Sequence, residues 1–197
     1  IVILSFEEEI TDYKHFEDGT EIVYDAEPYV NGYIRIIADS SGEKMNCITD
    51  APVYASDLQA KRRGHTSYSY AKPQYLIKMY SPDGTENKSD ILGMGEGSSW
   101  VLNGSMADKS MLRNYLPYRI AAEIGGDCFS PSSKFCEVLM ETKKGLEYRG
   151  VYLLMEAVSR GENRVDIDKS KEGERYTSYI VRRDRFTNFD VMLDTYG

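Results

Sequence analysis

The chain has 197 residues, 41% of them hydrophobic, with a net charge of −8. That length and apolar content predict one large domain, or one domain plus a piece of another, with a real core, and no run reaches the roughly 18 apolar residues of a membrane span. An excess of 32 acidic over 24 basic residues argues against nonspecific nucleic-acid binding, which needs a basic footprint.

In chain order, the apolar run at 1–6 predicts a strand and the acidic Glu7–Glu9 a loop. Thr20–Tyr24 and Tyr33–Ala38 read as strands. The second is carried by β-branched Ile34, Ile36 and Ile37 and is closed by the turn Asp39-Ser40-Ser41-Gly42. Val53–Arg62 alternates weakly. Gln74–Tyr80 alternates clearly and ends in the turn Ser81-Pro82-Asp83-Gly84. Leu92–Gly97 holds Gly93, Gly95 and Gly97, but it lacks both the Gly-Lys-Ser/Thr ending and the spacing of a phosphate loop. It reads as a flexible link into the strand Trp100–Leu102.

Asp108–Ile124 is the clearest helix. Asp108 is the expected N-cap, apolar residues recur near helical spacing, and Gly125-Gly126 is the stop. Pro117 predicts either a bend or a later start. Phe135–Met140 and Leu146–Glu156 predict a hairpin around Lys143-Lys144-Gly145, with Tyr148, Gly150, Tyr152, Leu154 and Glu156 on one face. Thr177–Arg182 is the last expected strand. Many strands, one clear helix and no βαβ alternation predict an α+β fold: a mostly antiparallel sheet with one or two packed helices.

Chemistry narrows less quickly. Two histidines and no nucleophile elbow argue against hydrolytic triads and zinc hydrolases. Cys47, Cys128 and Cys136 are too few and too scattered for a zinc site, and their odd number argues against a complete disulfide framework. Cys136, inside an apolar run, is expected to pack as a small hydrophobe. Lys61-Arg62-Arg63, continuing to Ser67 and followed by Lys72, reads two ways. It is an anion cradle or a basic strand edge that discourages pairing. Glu156 closes an apolar strand. If buried, its carboxylate needs a cation or hydrogen bonds; otherwise it surfaces at the strand end.

Three stretches, kept in order, carry a resemblance. The first is Arg63-Gly64-His65-Thr66-Ser67 with Lys72-Pro73-Gln74-Tyr75-Leu76-Ile77-Lys78. The second is Leu92-Gly93-Met94 with Trp100-Val101-Leu102-Asn103 and Asp108–Asn114. The third is Tyr148–Glu156 with Asn163-Arg164-Val165-Asp166-Ile167. Together they resemble the CotH kinase family, the spore-coat protein H type, over roughly residues 50 to 184. The resemblance implies the N-terminal part of an atypical protein kinase fold, which uses ATP with Mg²⁺ or Mn²⁺ to phosphorylate serine or threonine of protein substrates. It implies a spore-coat, exported or cell-surface bacterial location. It implies that Lys72 meets phosphates, that Glu156 pairs with Lys72, and that Arg63 and Arg113 are further phosphate or ion-pair residues. For Asp108 and Asn114 a part in the site weighs equally with a purely structural one, as a helix cap and a packing contact.

The sequence departs from the family pattern at His65-Thr66 and Arg182-Arg183. The family's aspartate-bearing metal and catalytic motifs do not occur in it, and Asp184 and Asp190 have no motif behind them as substitutes. Residues 1–197 are therefore expected to be a single unit, the N-terminal portion of a longer CotH-type kinase domain. Catalytic residues are expected beyond Gly197 and no metal ligand is assigned within the chain. The alternative is a non-catalytic scaffold or binding module of an exported or surface protein.

Overall fold

Strands whose side chains alternate between apolar and polar bury one face each, and here those faces line the inside of a closed barrel. The computed structural model describes residues 1–10, 14–17, 21–24, 29–39, 41–64, 66–126 and 129–180. Its strands are β1 (Val2–Phe6), β2 (Lys14–Glu17), β3 (Glu21–Tyr24), β4 (Val30–Ile36), β5 (Tyr54–Arg63), β6 (Gln74–Tyr80), β7 (Ser89–Asp90), β8 (Glu96–Gly97), β9 (Ser99–Asn103), β10 (Ser133–Thr142) and β11 (Gly145–Glu156). The helix α1 spans Leu112–Ile124, and a 3-10 turn spans Thr66–Ser69.

The barrel order is β1-β10-β11-β9-β6-β5-β4, with β4 returning to β1. β1 runs parallel to β10, and the other barrel pairs are antiparallel. Closure removes the exposed strand edge that an open sheet would present. Inside lie Leu58 and Ala60 of β5, Tyr75, Ile77 and Met79 of β6, Trp100 and Leu102 of β9, and Tyr152 and Leu154 of β11. On the outside of β9 and β11, Val101, Leu153, Met155 and Ala157 form a second cluster under Leu76, Tyr115 and Tyr118.

This architecture corrects the expected α+β fold with packed helices. The protein is mostly β, built on a closed seven-stranded barrel, and no residue of α1 is buried. The apolar residues at helical spacing do not face the core. Leu112, Leu116, Ile120 and Ile124 form an i, i+4 ridge that is 40 to 80% exposed. Only Tyr115 and Tyr118 lean on the barrel, helped by a Tyr115–Phe135 ring contact with centroids 5.0 Å apart.

The helix begins at Leu112 rather than Asp108, behind Met111 in the left-handed region at φ 58°. Asp108 still caps it from upstream, because its Oδ2 accepts the Arg113 N–H at 2.9 Å. Pro117 lies within the helix and does not end it. In β11 a bulge sets Gly150 opposite Val138 and Tyr148 opposite Leu139, so Arg149 is the extra residue. The bulge breaks the predicted common face: Tyr148 is 58% exposed whereas Tyr152 is buried. Thr177–Ile180 is not a strand. Val181, Arg182, Arg183, Asp184 and Asp190, like His65 and Cys128, lie outside the described residues. Cys136 is buried as expected, and burial pushes its thiol up to about 12.

The barrel carries the stability and the helix adds little. Trp100→Ala is expected to cost about 3–5 kcal/mol, whereas Ile120→Glu is expected to change stability by no more than about 0.5 kcal/mol. Urea unfolding of both variants checks this. An Ile120→Glu loss as large as that of Trp100→Ala would show that the helix is part of the folding core.

Candidate functional site

Glu156 ends β11 just where the strand leaves the barrel wall, and it is buried. The nearest cation is Arg164, also buried, whose Nη1 donates to Glu156 Oε1. The other carboxylate oxygen accepts the Ser132 N–H at 2.7 Å. The guanidinium also lies over the Trp100 ring, 4.9 Å from its centroid, and Nη1 donates to Asn163 O at 2.8 Å. Burial pushes the Glu156 carboxyl up, against the pull of the Ser132 N–H and the Arg164 charge.

Two glycines of the Leu92–Gly97 stretch take their place here. A Cβ on Gly97 would collide with the Arg164 guanidinium. Gly95, at φ 86°, passes within ordinary contact of Arg164 and Glu156. Asp90 holds this turn by accepting the Gly95 N–H at 3.0 Å. The glycine-rich stretch is thus neither a phosphate loop nor a loose link. It lets the backbone run against a buried arginine. Arg164 was missed as a functional residue, although it sits in the quoted Asn163–Ile167 segment and Glu156 called for a cation.

Lys72 lies elsewhere. Its ammonium donates to Val151 O and sits 4.8 Å from the centroid of the Tyr152 ring. Burial holds its pKa below the usual lysine value. Val151 and Glu156 are five residues apart on β11, roughly 16 Å of strand. The structure therefore does not bring Lys72 and Glu156 together, and each has other partners. A Cβ on Gly104 would come within 2.8 Å of Lys72 O, so the turn after β9 packs directly on the lysine backbone.

Arg63 is exposed at the end of β5 and donates to Gln74 Oε1 at 3.5 Å. Arg113 is at the start of α1, with its side chain 81% exposed and its Nε 3.8 Å from Asp108 Oδ1. Asp108 also accepts the Ser110 hydroxyl at 2.6 Å and the Ser110 N–H at 3.1 Å. The Ser110 hydroxyl, with these N–H groups, holds its carboxyl below the usual range. Arg113 and Asn114 line one cleft of about 460 Å³ with Thr66, Ser67, Gln74 and Asn103. The first two motif stretches thus share a cleft, while the second and third meet around Arg164.

For the divalent metal that the resemblance implies, the chemistry of the donor set gives the test. Among the described residues, no group of three or more His, Cys, Asp or Glu side chains converges to hold a metal ion. The described residues do not fit Mg²⁺ or Mn²⁺, which take several oxygen ligands. No helix among them is long and apolar enough to cross a membrane.

The buried pair makes a direct prediction. Removing one partner leaves the other charge buried and unpaired, which costs about 3–5 kcal/mol. Arg164→Met and Glu156→Leu are each expected to lose that much in urea unfolding, and the double variant to recover most of it. Additive losses would show that the two side chains do not interact.

Compared with known proteins, the family model described as CotH kinase protein matches residues 60–195. No curated protein gives a match.

Proposed function

This chain belongs to the CotH kinase protein family, and from that premise we propose that it is part of an atypical protein kinase domain. In this reading the domain moves the γ-phosphoryl of ATP to serine or threonine of a protein substrate, in a spore-coat, exported or surface setting. The chain contributes nucleotide contacts. In this reading the carboxylates that hold Mg²⁺ or Mn²⁺, and the catalytic residues, lie outside the described residues.

One observation carries the nucleotide role: the Lys72 ammonium is held by a carbonyl and a ring face rather than by a carboxylate. A lysine so placed keeps its charge available to phosphate oxygens. Partial burial strengthens its attraction for an anion, because little water screens it there. Glu156 takes the role of a structural ion pair with Arg164, so Lys72 is positioned by Val151 O and Tyr152 instead. Arg113 lines the cleft that holds Thr66 and Asn114, and Arg63, exposed at the end of β5, donates to Gln74, another of its lining residues.

A scaffold or binding-module reading has its own support. The exposed ridge Leu112-Leu116-Ile120-Ile124 on α1 is the kind of apolar stripe that takes a partner helix or strand.

Two measurements separate these readings. Calorimetry with ATP should show binding that weakens about tenfold or more in Lys72→Ala, a loss of about 1.4 kcal/mol. No ATP binding would favour the scaffold. With radiolabelled ATP and Mg²⁺ or Mn²⁺, the 197-residue chain should transfer no phosphoryl group to itself or to a general protein acceptor. Transfer that disappears in Lys72→Ala would overturn the assignment of the chemistry to a further part of the domain.

A further inference from the structure

On β11, Leu154 and Tyr152 point into the barrel, and the next position of that face is Gly150. Gly150 pairs in register with Val138, itself an interior residue. Leu154 and Tyr152 fill their share of the interior with side chains, whereas Gly150 leaves its share empty. The Lys72 side chain takes up that gap. A Cβ on Gly150 would sit 3.6 Å from Lys72 Cε and 3.7 Å from its Nζ. The lysine thus stands where the next inward side chain of β11 would be, with its ammonium over the Tyr152 ring.

Two stretches of backbone hold it there. Arg149 is the extra residue of the β11 bulge, and Gly150 beside it takes φ 93°, in the left-handed region. Glycine alone adopts that conformation readily, and a bulge re-aims the strand around it. The last pair of β11 with β9 is Leu153 with Asn103. Val151 lies past that end, and its carbonyl accepts the Lys72 ammonium. On the other side β9 gives way to Gly104, where a Cβ would come 2.8 Å from Lys72 O and 3.2 Å from its Cγ. An ammonium costs free energy to take out of water. A slot made of a bulge and two glycines therefore points to a fold that keeps this ammonium fixed.

We propose that Gly150, with the bulge at Arg149, and Gly104 are positioning residues for Lys72, setting the place and direction of its ammonium through the backbone. They hold Lys72 whatever anion it meets. The purpose of the held ammonium rests on the nucleotide reading, which this assignment deepens. Sequence reasoning passed over both glycines, because neither lies in the glycine-rich stretch.

The test is NMR of the 197-residue chain without nucleotide or metal, with Lys72 assigned through Lys72→Arg. The unaltered chain should show a contact between Lys72 Hε and Gly150 Hα, and Lys72 Hε protons shifted upfield by the Tyr152 ring. Gly150→Ala and Gly104→Ala should each abolish most of that upfield shift, and Gly145→Ala should leave it in place. Gly145, in the same hairpin at φ 107°, has nothing within 4 Å of a Cβ, so its variant carries similar backbone strain without touching the lysine. Similar drops in unfolding midpoint for Gly145→Ala and Gly150→Ala, with the Lys72 shift lost only in the second, separate positioning from folding. Absence of the Lys72–Gly150 contact in the unaltered chain would overturn the proposal without any variant. So would a Lys72 signal unmoved in both Gly150→Ala and Gly104→Ala. Calorimetry with ATP keeps the two readings apart, and affinity is expected to fall about fivefold or more in Gly150→Ala relative to Gly145→Ala. If the Lys72 signal behaves as expected but the chain binds no ATP, the positioning stands and the nucleotide reading falls. If ATP binding needs Lys72 while Gly150→Ala and Gly104→Ala change neither its signal nor the affinity, the nucleotide reading stands and the positioning falls.

Discussion

The structure depends on one buried ion pair, Glu156 with Arg164. Two charges taken out of water are held best when each is paired and hydrogen-bonded, and the surroundings supply part of this: Arg164 Nη1 is bonded, while its Nε and Nη2 are buried with no hydrogen-bond partner among the described residues. Ser132 gives Glu156 a backbone N–H, Trp100 gives Arg164 a ring face, and Gly97 gives the guanidinium space. The pair ties the segment after β11 back onto the barrel through β8 and β9. Its net value is small in one sense. Because burial raises the folded pKa of Glu156, its contribution to stability is present below the unfolded pKa and is lost as pH rises through the folded value. The pair fixes local geometry, since Ser132, Trp100 and Gly97 all bond or pack against it.

That constraint redistributes the roles of the charged groups. A carboxylate tied to Arg164 is not available to orient a lysine at the far end of the same strand. Lys72 is oriented instead by a backbone carbonyl of β11 and by an aromatic ring, neither of which carries charge to cancel its own. The charge at the Glu156 end of β11 is therefore neutralised by Arg164, whereas Lys72, near Val151, is held by a carbonyl and a ring.

Much of the fold was legible because strand alternation is a local property. Gln74–Tyr80 shows it cleanly as a barrel strand, whereas Trp100–Leu102 is an unbroken apolar run buried on both faces. Closure was not legible. β1 meets β10 through pairs such as Val2 with Val138, and no local pattern announces a partner so distant in sequence. The helix was placed by its apolar spacing, but spacing says only that one face is apolar and not that the face is covered. The bulge at Arg149 flipped Tyr148 out of its expected face because one inserted residue inverts every side chain before it. At the candidate site, the need of Glu156 for a cation was readable from its apolar strand. Which cation was not, since Lys72 and Arg164 both answer it in sequence and only the strand direction decides between them.

The most direct test of this division of charge is the titration of Lys72 itself. NMR titration of the lysine side chains, with Lys72 assigned through Lys72→Arg, should give a pKa below the ordinary lysine value, because burial and no carboxylate acts on it. Glu156→Gln should leave that value unchanged. A Lys72 pKa above the ordinary value that falls in Glu156→Gln would contradict the account, since it would make Glu156 the partner of Lys72 rather than of Arg164.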